Sequence, residues 1–482
     1  MNNPVLTFAS LAPALPELYL TAAICLVLLV DVFAGAAGRR ITPTLTLLVL
    51  VVGAALTQLY SQVPVQTQLF SGMYVADPLA TLLKLFGFLV TAVALLYSRE
   101  YLDARGILRG EYYVLVLTAL LGIFVMVSAN SLLTMYVGIE LLALSLYAMV
   151  AFDRDSGIAA ESAMKYFVLG AIASGCLLYG MSMVYGLTGT LQFPELAQAL
   201  TGTPSLGVIL GVVFIVVGVS FKFGAVPFHM WVPDVYHGAP SAVTLFVGTA
   251  PKIGSFALTF RLLAEGLGNI SETWTQMLTI VAALSLVIGN LVAIAQTNLK
   301  RMLAYSAIGN VGFILLGFVA GTEQGYEAAL YYTIVYVIMA LGSFGVLVLA
   351  SRAGFEADEL VHYKGLFARD PLLALAMMML MFSTAGVPPF VGFWAKLQIF
   401  QALWATQHLG LVILAASVSV IGAFYYLRIV KLMYFDEPGN LPAGRGQVGV
   451  RVALGLNAAA VLALGLMPNS LMALCARVLG AS

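Results

Sequence analysis

The sequence predicts an all-α polytopic membrane protein of about fourteen transmembrane helices, with two inverted five-helix repeats and with helices 7 and 12 broken. Three observations predict it. The chain is 61% hydrophobic and 9% charged, with a mean hydropathy of +1.00, whereas soluble domains carry roughly 25% charged residues. Mostly apolar stretches of about 20 residues, the length that crosses a bilayer, follow one another from end to end. Lys and Arg gather in alternate connections, as the positive-inside rule requires of a chain that crosses and recrosses. All 482 residues therefore read as one membrane domain.

The first span, near 17–34, opens at Glu17 with no Lys or Arg before it, unlike a cleavable signal peptide. Arg39 and Arg40 separate it from the second, near 43–61. Arg99, Arg105 and Arg109 close the third, near 78–97, and lead into the fourth and fifth, near 112–129 and 132–151. Arg154 precedes the sixth, near 162–185, and the seventh runs near 207–234 with Pro227 inside it. The eighth and ninth lie near 241–264 and 274–296, and Lys300 and Arg301 mark the turn into the tenth, near 301–320. The eleventh, near 326–351, is followed by Arg352, Lys364 and Arg369, and the twelfth, near 371–404, is broken at Pro388 and Pro389. Arg428, Lys431, Arg445 and Arg451 join the thirteenth, near 409–431, to the fourteenth, near 450–474.

Fifteen of the 22 basic residues thus fall on one side, against only Arg261 and Arg477 on the other. The basic side is expected to face the cytoplasm, with both termini outside. A proline inside a span removes a backbone donor, and such a break is tolerated where it lines a cavity within the protein. The two broken helices lie five spans apart, and a five-span unit has an odd number of crossings. A second copy must then enter upside down, giving repeats at approximately 112–264 and 274–431, flanked by 17–97 and 450–474.

Composition also excludes whole classes of function. Net charge is +0 and no basic or acidic cluster appears, so no nucleic-acid partner is expected. Cys25, Cys176 and Cys475 lie far apart in apolar runs, and the four histidines show no Cys/His spacing. No metal or cofactor is therefore expected on this chain. No phosphate-binding loop, dinucleotide fingerprint or catalytic triad occurs, and glycine-rich pieces such as AIASGCLLYG read as close helix packing. What remains is ion-path chemistry with no engine of its own, so the energy must come from a gradient or a partner.

That chemistry rests on ionisable residues placed in apolar segments, where each must be paired, wetted or deprotonated. In FKFGAVPFHMWVPDVYHGAP, Lys222 precedes and His229 follows the break at Pro227. Glu140 sits about eight residues into its helix, roughly 12 Å deep at 1.5 Å per residue. Lys165, near the start of the next helix, draws interest because a carboxylate such as Glu140 nearby would hold it protonated. Lys252 is roughly 15 Å deep in the eighth helix, and Lys396 follows the double-proline break. Lys84, only about six residues inside its span, is expected to snorkel. Asp234 reads as a cap or a channel-mouth residue, and His237, His362 and His408 as solvated loop residues.

VPFHMWVPDVYHGAP, AESAMKYFVLGAI, LKRMLAYSAIGNVG, GLFARDPLLALAMMMLMFSTAGVPPFVGFWAKLQIF and the early LPEL resemble the antiporter-like membrane subunits of bacterial NADH:quinone oxidoreductase, respiratory complex I, over essentially the whole chain. DVYHGAP after the broken helix, a lysine rather than a glutamate at 396, and no long lateral helix after the fourteenth span place it nearest the subunit N branch. The resemblance implies a multi-pass protein of the bacterial inner membrane, among other membrane and peripheral subunits that carry FMN, iron–sulfur clusters and quinone. It implies proton-translocating roles for Glu140 and Lys165 as a pair, for Lys222 and His229 at the break, for Lys252 at the centre and for Lys396 toward the outer exit. Relatives often place a charged relay in the eleventh helix, where this chain has Tyr332, Thr333, Tyr336 and Ser343, so the link from Lys252 to Lys396 is expected to use water and hydroxyls. A subunit of a multi-subunit cation/proton antiporter is the alternative, and a structural spacer a third reading.

Overall fold

The chain folds as a bundle of long helices whose order follows the apolar runs. A computed structural model describes residues 11–35, 38–60, 66–351, 353–438 and 447–480; Arg352, Arg445 and the side chain of Arg39 lie outside the described residues. In chain order the helices are α1 (Leu15–Ala34), α2 (Gly38–Tyr60), α3 (Pro78–Ala104), α4 (Gly110–Val127), α5 (Leu132–Val150), α6 (Gly157–Thr188), α7 (Phe193–Ala199), α8 (Leu206–Phe223), α9 (Trp231–Gly238) and α10 (Ser241–Val247). They continue as α11 (Ala250–Thr259), α12 (Ser271–Ala295), α13 (Leu299–Val319), α14 (Glu323–Ala350), α15 (Leu366–Arg369), α16 (Pro371–Ala385), α17 (Val391–Ala405), α18 (Leu409–Phe435), α19 (Val448–Leu466) and α20 (Pro468–Gly480). A short antiparallel hairpin, β1 (Thr67–Leu69) and β2 (Tyr74–Ala76), precedes α3, with Thr67 opposite Ala76.

Thirteen helices among the described residues are long and apolar enough to cross a membrane. The twelfth crossing is divided between α16 and α17, 15 residues each, which brings the count to the fourteen expected. Starts are set by small polar caps: Asp77, Ser131, Ser156, Ser205, Asn298, Thr322 and Asp370 each accept a backbone N–H of the following first turn.

Both predicted breaks are present, but the helices end before the prolines. Gly224 at φ +74° closes α8 and Gly386 at φ +89° closes α16, a conformation glycine adopts without strain. In each, the second residue of the cap returns a hydrogen bond across the last turn, Ala225 N–H to the Ser220 carbonyl at 2.8 Å and Val387 N–H to the Phe382 carbonyl at 3.0 Å. This Schellman pattern satisfies part of the helix end and leaves other carbonyls free to receive side chains.

Two expected spans differ in detail. The eighth is three pieces: α10 stops at Gly248, Pro251 in the first turn of α11 has no N–H to continue the ladder, and Phe260–Gly266 winds as a π-helix. The expected span 450–474 is two helices, because Pro468 opens α20 directly after α19 has ended at Leu466.

Burial defines the axis of the bundle. Every residue in the most apolar stretch of Ser241–Gly266 is buried, and α13 and α14 are nearly as enclosed, while α1, α18 and α19 are mostly outward-facing. Phe33, Val420 and Leu456 are exposed there, as apolar residues facing lipid are. Paired glycines let neighbouring helices touch. A methyl on Gly122 of α4 would sit 2.6 Å from the Leu142 nitrogen of α5, and one on Gly289 of α12 would sit 2.5 Å from the Gly309 nitrogen of α13.

Candidate functional site

The free carbonyls at the two helix breaks are where the buried lysines go. Lys252 on α11 is 2% exposed and donates from Nζ to the Phe223 carbonyl, the last residue of α8, at 2.6 Å. One turn on, Ser255 Oγ donates to the Lys222 carbonyl at 3.2 Å. At the second break Lys396 donates from Nζ to the carbonyl of Ala385, the last residue of α16, at 2.8 Å, and lies 5.3 Å from the centre of the Phe313 ring. A helix C-terminus carries a partial negative charge, so an ammonium is favoured there without a carboxylate. Neither lysine has an ion-pair partner among the described residues.

Lys222, in the last turn of α8, likewise forms no ion pair among the described residues. Glu140 is half-buried on α5, with Oε1 buried and without a hydrogen-bond partner. His229 lies in the non-helical stretch between α8 and α9, its Nδ1 buried without a well-formed hydrogen bond. Lys222, His229 and Lys252 thus lie at the first break.

Lys165 departs from expectation. Its Nζ is held by Glu161 Oε1 at 2.9 Å and Asp234 Oδ2 at 3.0 Å, not by Glu140, and the side chain is 46% exposed. The reason is the docking of α9 on α6. Ser162 Oγ donates to the Asp234 carbonyl at 3.1 Å, and the Tyr166 and Trp231 rings stack with centroids 4.5 Å apart, which carries Asp234 to Lys165. The other carboxylate oxygen of Asp234 accepts from Arg301 on α13 at 3.0 Å. The expected cap or channel-mouth residue is a bridge between three elements.

Hydroxyls and amides lie between the two breaks. Ser306 Oγ and Tyr426 OH are 2.5 Å apart, Asn310 Nδ2 donates to the Ser306 carbonyl at 2.8 Å, and Tyr332 OH donates to Asn310 Oδ1 at 2.8 Å. A cavity of about 20 Å³ lined by Ser306, Tyr336, Ser343 and Thr384 has room for one water. Tyr332 takes part in this network and Tyr336 and Ser343 line the cavity, while Thr333 and Ser343 both bond their own helix, at 2.8 Å to the Ala329 and Met339 carbonyls.

Three charge clusters escaped sequence reasoning. Lys84 does not snorkel: it is 1% exposed, 2.7 Å from Glu17 Oε1 and 2.9 Å from Tyr74 OH. Arg261 is not in an outer loop but fully buried in the π-helical stretch, pairing with Asp77 and Glu265 at 2.6 and 2.7 Å. Lys300 is not a loop residue either. It is 3% exposed and lies 3.4 Å from Glu356, whose carboxylate also takes Arg105, Ser241 and Tyr101. Glu17 at the start of α1 was the signal for the first cluster and Glu265, four residues after Arg261, for the second; Asp77 and the partners of Lys300 are far off in sequence.

Interrupted helices with lysines at their ends and a polar axis between them define a polytopic subunit of the antiporter-like class. Residues 129–422 match the family described as NADH:quinone oxidoreductase/Mrp antiporter, TM. The NADH-quinone oxidoreductase subunit N of Thiobacillus denitrificans is 52% identical over 485 residues, covering 100% of both chains. That of Herminiimonas arsenicoxydans is 51% identical over 99% of this chain and 98% of its own. A chain of respiratory complex I from Thermus thermophilus with bound Aureothin superposes with a TM-score of 0.82 at 32% identity, covering 96% of this chain and 99% of that one. A chain of the Mrp complex from Dietzia sp. DQ12-45-1b shares the fold, with a TM-score of 0.87 at 22% identity and coverage of 98% and 97%. The chain belongs to the NADH-quinone oxidoreductase subunit N family.

Proposed function

We propose that the chain is a proton-translocating membrane subunit of NADH:quinone oxidoreductase, carrying no redox centre itself and moving protons outward when quinone is reduced elsewhere in the complex. The observation that carries this is the set of three lysines, Lys222, Lys252 and Lys396, placed at helix breaks inside apolar spans with no carboxylate ion-paired to them among the described residues. Such a lysine exchanges a proton in response to nearby charge. Glu140 supplies that charge at the first break, His229 offers a carrier beside it, and the hydroxyls near Ser306 and Tyr336 continue the path to Lys396. Lys165 modulates Glu140 from α6. FMN, iron–sulfur clusters and quinone belong to partner subunits in this reading. The protein sits in a bacterial inner membrane with its basic connections in the cytoplasm and both termini outside.

The matching glycine-capped breaks and the matching glycine pairs, Gly122 with Gly138 and Gly289 with Gly309, support inverted repeats at 112–264 and 274–431. Neutralising Lys222 or Lys396 to alanine is expected to lower NADH-driven proton pumping in the assembled complex reconstituted into vesicles; pumping at the wild-type rate would overturn the reading. The Mrp likeness keeps a cation/proton antiporter subunit as the second reading. Recovery of the tagged chain with small membrane subunits and without flavin or iron–sulfur partners would favour it.

A further inference from the structure

Asp234 lies outside the path just described, yet it holds Lys165 in place of Glu140. We propose that Asp234 is a positioning residue, the alternative counter-ion of Lys165: while it holds Lys165, Glu140 is left to Lys222, and when it lets go, Lys165 takes Glu140 and Lys222 loses its counter-charge.

The proposal rests on the proton-translocation reading and deepens it. Asp234 Oδ2 is 3.0 Å from Lys165 Nζ, and Oδ1 is 3.0 Å from an Arg301 nitrogen. Glu161 Oε1, at 2.9 Å, is the other acid on Lys165. Glu140 Oε1 is buried with nothing bonded to it, so in this arrangement that oxygen is not held by Lys165. The helices that bear Glu140 and Lys165, α5 and α6, pack side by side.

The position of Asp234 depends in turn on the first break. Trp231, three residues earlier on α9, donates from Nε1 to the Phe221 carbonyl at 3.1 Å and stacks on Tyr166, the residue after Lys165. One tryptophan therefore joins the capped end of α8 to the helix that carries Lys165. The same helix end binds Lys252 through the Phe223 carbonyl. A change in the hold of Lys252 on that carbonyl moves α9, and with it the carboxylate that Lys165 and Arg301 share. The exchange needs no large motion, since the competing partners already lie on packed helices, and a carboxylate close to Lys222 favours its charged form.

The test uses complex assembled in the cell and reconstituted into vesicles, with NADH-driven acidification measured per assembled complex. Asp234→Asn is expected to slow pumping roughly tenfold, the scale of an ordinary coupling free energy. Asp234→Glu should restore most of it, and Asp234→Asn combined with Lys165→Met should pump no worse than the poorer single variant. Failure of Asp234→Glu to rescue, or losses that multiply in the double variant, would overturn the proposal. Should Asp234→Asn fail to assemble, Arg301→Gln leaves Asp234 to Lys165 alone; slower pumping from normally assembled Arg301→Gln complex supports the exchange, and wild-type pumping overturns it. Lys222→Ala in the same assay separates the two levels. Wild-type pumping there overturns the proton path itself, whereas loss there with wild-type pumping by Asp234→Asn overturns only the role of Asp234.

Discussion

Lys252 and Lys396 each rest on one backbone carbonyl, at 2.6 and 2.8 Å, while Lys84, no more exposed, lies between a carboxylate and a tyrosine hydroxyl. The contrast sorts residues of one type into two jobs. A lysine locked to Glu17 is a structural tie between α1 and α3, and removing one partner of such a buried pair costs about 3–5 kcal/mol. Lys84→Met is therefore expected to lower the unfolding temperature in detergent clearly, and adding Glu17→Leu should recover much of the loss. If Lys84→Met unfolds like the parent, the tie is not structural. Depth along each helix was legible in the sequence, which is why Glu140, Lys222, Lys252 and Lys396 stood out as ionisable residues inside apolar spans. Partnership was not: Glu17 is 67 residues from Lys84 and Asp234 is 69 from Lys165, and spacing along a chain says nothing of which helix faces packed together.

At the scale of elements, the two breaks were legible because proline and glycine act locally. GAVP and GVPP each place a left-handed glycine and then a residue without an N–H in an apolar run. The interruption before α11 was missed although Pro251 was in plain view, because the surrounding run is apolar enough to pass for one helix. The π-helical stretch at Phe260–Gly266 had no local signal; Arg261 is drawn inward by Asp77, 184 residues away. Close packing at the second break gives a test. A methyl on Gly392, in the first turn of α17, would clash with the Ser383 carbonyl of α16. Gly392→Ala must spread the two half-helices, at a cost of about 1–3 kcal/mol, and pull Lys396 from the Ala385 carbonyl. Slower pumping from a slightly less stable complex is expected; unchanged pumping and stability would show that the junction yields.

Across the whole molecule, Glu356 in the connection between α14 and α15 gathers Arg105 after α3, Ser241 at the start of α10 and Lys300 on α13. Burial pushes its carboxyl up, but Lys300, Arg105 and the hydroxyls of Ser241 and Tyr101 outweigh that, so it is held below its ordinary 4.5. A group depressed on folding stabilises above its unfolded value and is lost as pH falls through the folded one. Hydrogen exchange in residues 353–365 should therefore stay slow at neutral pH and quicken only below about 4.5, in a manner that Glu356→Gln abolishes. Quickening near pH 7 would show that the connection is held by other groups. The crossing count and the alternation of basic loops were legible because a bilayer imposes them on composition; this four-way junction was not, since it is assembled from the ends of distant helices. The helix-end carbonyls beneath Lys252 and Lys396 have a wider consequence. A peptide group cannot take up a proton, so in each contact only the lysine can change its charge, and the partial charge of the helix end opposite it is fixed. On the proposed proton path, a charged Lys252 or Lys396 would be offset only by that partial charge, and further positive charge close to either would be repelled.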